Sequence, residues 1–207
     1  MKVILSVVND IDIGLSTFSE FIKKGNRSLL IKGGSGTGKV TLCFELAKTH
    51  LDEFEVVLIT RNSPENSIYK RFPWINNIIE TKNIIAINTG SDYMLSEPSF
   101  LINNIISTIN NLTTTIYDPF ASLEDKKKPF VILEIWDHLR KEMNDATLIK
   151  IEKLLTTLIE KNDGFIIFLT EDFGNTLDYF VDGVIKLVQN FYKSYRLREM
   201  EIKGDGN

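Results

Sequence analysis

"GGSGTGKVTL", residues 33–42, follows the apolar run "SLLIKG" (28–33) and opens the amphipathic run "KVTLCFELAKTHL" (39–51). A loop of the type G-x4-G-K between a strand and a helix is a phosphate cradle. Its glycines let backbone N–H groups turn toward the phosphates, its lysine reaches the β- and γ-phosphates, and the helix adds its positive end. Gly33, Gly34, Ser35, Gly36, Thr37, Gly38, Lys39, Val40 and Thr41 are therefore the expected nucleotide-binding residues. The residue after the lysine should offer a hydroxyl to magnesium, a hard cation that takes oxygen ligands, and here it is Val40. Thr41 does not replace it, because one helical step turns a side chain by about 100°. The loop is expected to hold phosphates and to orient magnesium poorly.

Outward from the loop, short apolar runs alternate with amphipathic ones. "EVVLIT" (55–60), "NIIAIN" (83–88), "PFVILEI" (129–135), "GFIIFLT" (164–170) and "DGVIKLV" (182–188) read as strands, and "SYRLREMEIK" (194–203) as an alternating one. "ATLIKIEKLLTTLIEKN" (146–162) has apolar residues at helical spacing, and "LINNIISTINNL" (101–112) reads as a second helix. Strands apolar throughout are buried on both faces, so the fold class is α/β, a mainly parallel twisted sheet flanked by helices. The 207 residues suit a single domain over 1–207, with 91–128 as the stretch for an irregular insertion or loop. Within it the Lys126–Lys128 run reads as a solvated loop edge.

Bulk properties narrow the classes. Hydrophobic residues make up 43% and charged residues 25%, which supports a packed core and excludes wholesale disorder. A net charge of −4 argues against a broad nucleic-acid face. The lone Cys43 excludes an internal disulfide framework and fits a cytoplasmic location; inside the helix after the loop it reads as a small core residue. His50 and His138 are too isolated to form a metal site. "MKVILSVVND" reads as a short strand rather than an export signal, and no apolar run is long enough for a membrane span.

Four further stretches fall in a telling order around the loop. "DIGLSTFSEFIKKGNRSLLIKGGSGTGKVTL", "EVVLITRNSPENSIYKRFPW", "KKPFVILEIWDHL" and "DYFVDGVIKLVQNFYKSYRLREMEIK" together resemble the RecA-fold ATPases of the KaiC and RadA type, above all the single-domain KaiC-like proteins of archaea. The resemblance runs from about Asp12 to Lys203. It implies a RecA-like P-loop fold, ATP or ADP as the nucleotide, and homo-oligomers with nucleotide between subunits. It places Glu134 at the position of the aspartate that holds the magnesium shell, a metal contact through water, and leaves Asp137 as a second candidate. Charge at the carboxyl end of a parallel strand faces the ligand crevice. Lys39, Glu134 and Asp137 are thus the candidate catalytic residues.

The same resemblance exposes departures. Active members carry a water-activating glutamate just after the second strand, where this chain has Arg61 and Asn62, neither a general base near neutral pH. Arg61 reads either as a phosphate or subunit contact or as a surface arginine, and Glu65 on the same turn is not promoted to catalyst. The family's terminal Lys-x-Arg-Gly, which reaches across a subunit boundary, survives only as Lys203 before Asp205; Arg196 and Arg198 lie upstream on the last strand. Together with Val40, these changes predict a regulatory nucleotide binder with weak or absent hydrolysis.

Three alternatives stay open. One is a magnesium-dependent ATPase, and another an interaction scaffold with an empty loop. The third is a recombination accessory that binds single-stranded DNA, for which "IYKRFPW" (68–74) interleaves Lys70 and Arg71 with Phe72 and Trp74. Trp74 and Trp136 read as core packing or as contacts to a base or protein partner.

Overall fold

The computed structural model describes residues 3–4, 15–60, 70, 84–88, 98–114, 128–171, 176–192 and 195–204. Among them an eight-stranded sheet runs in the order β1-β8-β7-β2-β6-β5-β3-β4. Its strands are β1 (Val3–Ile4), β2 (Ser28–Gly33), β3 (Phe54–Thr60), β4 (Ile84–Asn88), β5 (Lys128–Leu133), β6 (Phe165–Thr170), β7 (Gly183–Tyr192) and β8 (Tyr195–Gly204). The pairings β4–β3, β3–β5, β5–β6, β6–β2 and β2–β7 are parallel. β8 returns antiparallel along β7, and β1 pairs antiparallel with β8.

Strand alternation divides the core in two. Leu29, Ile31, Phe54, Val56, Phe130, Ile132, Phe165 and Ile167 point to one face. There α1 (Leu15–Lys23) and α2 (Lys39–Lys48) cover them with Phe18, Ile22, Cys43 and Phe44. Leu30, Val57, Ile59, Val131, Leu133, Ile166 and Phe168 point to the other face. It is covered by α3 (Pro98–Thr114), α4 (Trp136–Glu142) and α5 (Asp145–Lys161). The first face is rich in rings: Phe130 stacks on Phe165 at 5.5 Å, and Phe18 meets Phe165 edge-on at 5.2 Å.

The fold matches the expected α/β class, and the strands fall where the apolar runs stand. Two helices add to that reading. α1 buries Phe18 and Ile22, four residues apart, and α4 buries only Trp136 and Leu139. One turn of contact is too little for a 3.6-residue period to show. α3 fills much of the stretch 91–128; residues 91–97 and 115–127 lie outside the described residues. No described helix is long and apolar enough to cross a membrane.

Two devices hold the loop-bearing strand β2 in place. At its start the Asp182 carboxylate accepts from the Ser28 N–H at 2.9 Å, the Ser28 hydroxyl at 2.8 Å and the Arg27 N–H at 2.8 Å. Near its end Lys32, fully buried in the sheet, forms an ion pair with Asp178 on the short 3-10 turn Thr176–Tyr179. Because β3, β5, β6 and β2 run parallel, their carboxyl ends share one edge, the position where open α/β sheets bind ligands.

Candidate nucleotide-binding site

The phosphate loop spans the end of β2 and the start of α2, as the sequence places it. Gly38 sits at the N-cap of α2 with φ 99°, a left-handed conformation that a side chain strains. Gly33 is required for another reason: a Cβ there would stand 2.7 Å from Thr37 Oγ1 and 2.8 Å from the Leu187 carbonyl oxygen. Thr37 is buried, and its hydroxyl donates to the Gly34 carbonyl at 2.8 Å, which closes the loop on itself. The Leu42 N–H bonds to the Gly38 carbonyl at 2.9 Å. The N–H groups of Lys39, Val40 and Thr41 precede that first helical bond and have no intrahelical acceptor. Ser35, Gly36 and Thr41 are exposed.

Lys39 is half-buried at the mouth of the loop. Its Nζ donates to the carbonyl oxygens of Gly33 and, at 3.1 Å, Gly34, and lies 3.8 Å from Glu171 Oε1. Burial lowers its pKa, while the charges of Glu171, Asp137 and Glu134 oppose that fall. Both candidate acids named from the sequence therefore sit within electrostatic reach of the lysine, and Glu171 joins them as the acid that touches it.

Each carboxylate on this side is already engaged. Glu134 follows β5; its N–H continues the ladder to the Ile59 carbonyl at 2.9 Å, and its Oε2 accepts from the Thr60 hydroxyl at the end of β3. Asp137, in the first turn of α4, accepts from the Thr170 hydroxyl with Oδ1 and from the Glu171 N–H at 2.6 Å with Oδ2. Asp137 thus ties α4 to the end of β6. Val40 is half-buried and packs against the apolar cluster under α1 and α2.

The nucleotide and the cation fare differently in this setting. The glycine turns, the helical N–H groups and Lys39 fit an anionic phosphate chain. For magnesium, position 40 is apolar and offers no oxygen, while the Asp137 and Glu134 carboxylates are oriented by the hydrogen bonds they accept. Glu134 has one oxygen beyond its bond to Thr60 that could meet a metal through water. Among the described residues no group of three or more His, Cys, Asp or Glu side chains is placed to hold a metal.

The remaining candidates sort quickly. Cys43 is fully buried, and burial, with Glu134 adding to it, pushes its thiol far up, so it is a core residue as expected. Trp136 is fully buried and meets Phe168 edge-on at 5.1 Å, which makes it core rather than a base contact. His50 Nε2 lies 3.1 Å from Ser19 Oγ, with the ring edge-on to Phe18 at 5.7 Å and Phe54 at 6.2 Å. Arg61, Asn62, Glu65, Arg71, Phe72, Trp74, Lys126, Lys127 and Asp205 lie outside the described residues, and Lys70 is exposed. Arg196, Arg198 and Lys203 fall in β8, paired with Phe191, Gln189 and Val184.

Thr60, Thr170 and Glu171 are the site residues that sequence reading missed. The signal for Glu171 was present: it is an acid one residue beyond the end of a largely apolar parallel strand, as Glu134 is.

No curated protein matched the sequence. A family model described as "ATPase: KaiC" matches residues 11–204. That match takes in the whole parallel sheet and the loop at its carboxyl edge, so the chain belongs to the KaiC-type ATPases, the nucleotide-binding group of the RecA superfamily.

Proposed function

We propose that this protein holds ATP or ADP in the loop Gly33–Thr41 as a regulatory ligand and hydrolyses it slowly or not at all. One observation carries the reading. The phosphate-holding groups, Lys39 Nζ and the first-turn N–H groups of α2, stand together at one helix end, whereas the adjacent magnesium position, Val40, is an apolar side chain half-buried against the core. Lys39 would move from the Gly33 and Gly34 carbonyls to the phosphates. Thr60 would keep Glu134 oriented toward the crevice, and Asp137 would fix the end of β6. Bound magnesium, where present, would offset phosphate charge, with Glu134 reaching it through water.

Hydrolysis asks for more than holding. A water must be deprotonated by a positioned base, and the developing charge must be stabilised; loss of either kind of group costs on the order of 10²-fold in rate. Calorimetry with ATP and ADP, beside a phosphate-release assay on the same sample, tests the reading. The expected result is binding in the micromolar range or tighter, weakened at least about 30-fold in Lys39→Ala, because charge-assisted hydrogen bonds to the phosphates are lost. Phosphate release should stay at the Lys39→Ala background. Magnesium-dependent turnover above that background would establish a working ATPase in which Glu134 has rebuilt the metal site.

A further inference from the structure

Glu171 stands in an unusual place for an acid. β6 lies directly beside β2, with Thr170 opposite Lys32, so Glu171 is level with the start of the phosphate loop. Its backbone N–H is pinned by Asp137 Oδ2 at 2.6 Å, and the preceding Thr170 hydroxyl is pinned by Asp137 Oδ1. This double anchor across 33 residues of sequence fixes where the Glu171 side chain begins. Its carboxylate is exposed and lies 3.8 Å from Lys39 Nζ, the group that reaches the β- and γ-phosphates in a loop of this type. An anion drawn to that lysine must come close to the carboxylate as well.

We propose that Glu171 sets the specificity of the loop, disfavouring a nucleoside triphosphate and favouring a nucleoside diphosphate. The inference rests on the reading that the loop binds nucleotide. The two ligands share their α- and β-phosphates and differ by one terminal phosphoryl group and its added negative charge. The lysine reaches the β- and γ-phosphates in a loop of this type, so the added charge of the terminal group would fall near Glu171 and meet a repulsion that a diphosphate is spared. Val40 supplies no oxygen to a cation that would offset the charge. Solvent screens the exposed carboxylate, which keeps the expected preference modest, at about 10-fold for ADP over ATP.

The test is calorimetric titration with ATP and with ADP, without and with magnesium, of the natural chain, Glu171→Gln and Glu171→Asp. The proposal predicts ADP about 10-fold tighter than ATP in the natural chain without magnesium. Glu171→Gln should tighten ATP by about 10-fold and ADP by no more than about 2-fold, and Glu171→Asp should keep the preference. Thermal unfolding of each unliganded variant checks that the exposed substitution leaves the fold intact; a merely structural role would shift both affinities together. Equal affinities in the natural chain, tighter ATP, or a gap unchanged in Glu171→Gln would overturn the proposal while leaving nucleotide binding in place. Loss of phosphate release in Glu171→Gln with the affinity ratio unchanged would overturn it in favour of a base. Binding of neither nucleotide would overturn both the proposal and the reading beneath it.

Discussion

The two walls of the crevice above β2, β5 and β6 are built on different terms. On the loop wall, the groups that suit phosphate bond to the loop's own backbone, with Lys39 also paired to Glu171, or lie in the first turn of a helix. On the acidic wall, Glu134 is held by Thr60, Asp137 by Thr170 and Glu171, and Glu171 faces Lys39. The lysine and the first-turn N–H groups of α2 face the position a phosphate takes in a loop of this type. Carboxylates that accept hydrogen bonds from their neighbours shape the wall, and those bonds fix where their remaining lone pairs point. The contrast teaches that the phosphate loop is built within one contiguous stretch, whereas the acidic wall is assembled from residues far apart in the chain.

The loop wall breaks most easily at Gly33. In Gly33→Ala the new Cβ meets the Leu187 carbonyl, which is sheet backbone and cannot yield cheaply. Overpacking of this kind costs about 2 kcal/mol, so Tm should fall by about 5 °C and nucleotide should no longer raise it. Differential scanning calorimetry with and without ADP reads both effects; an unchanged Tm would mean that the loop is slacker than its geometry.

Val40→Thr sharpens the contrast from the other side. It returns a hydroxyl to the helix start, and magnesium should then tighten ATP by about 5-fold, against less than about 2-fold in the natural chain. The half-buried position loses apolar contact, so Tm should drop by about 2 °C. If magnesium dependence stays flat, the barrier to metal binding lies in the tied acids rather than in Val40.

The smallest expected effect lies away from the crevice and serves as its control. Glu152, on the inner side of α5, has a buried Oε2 with no hydrogen-bond partner. Burial pushes its carboxyl up from the ordinary 4.5 to about 7, with Arg140 pulling the other way. The folded chain keeps this proton where the unfolded chain has released it, so Glu152 costs stability in full above about pH 7 and progressively less as pH falls toward 4.5. Glu152→Gln should therefore raise Tm by about 2 °C near pH 8 and leave it unchanged near pH 4, with nucleotide affinity the same as in the natural chain. A change in affinity would show that the far face of the sheet reports on the crevice.

How much of this was legible depended on range. The unit β2–loop–α2 is contiguous, so a motif and two apolar periods revealed it. β5 and β6 showed as unbroken apolar runs because both of their faces are covered. Glu134 was found from its place at a strand end. The partners that define its wall were not, because Thr60 and Glu134 are separated by 74 residues and Asp137 and Thr170 by 33, and nothing in a linear pattern pairs them. Lys32 was hidden for a related reason. A charge inside "SLLIKG" is buried with an ion pair to Asp178, and no period announces that bond.

That buried pair bears on how variants of this protein will be judged. Lys32 is the residue immediately before the phosphate loop, and its partner sits on a surface turn nearly 150 residues later in the chain. A substitution at Asp178 takes an ion-pair partner from a buried cation just before the loop, a defect felt by strand and loop together. In a genetic screen it would present as a lost nucleotide site, although position 178 lies outside the phosphate loop, and the same screen would pass over neighbouring Tyr179, whose side chain stands in solvent.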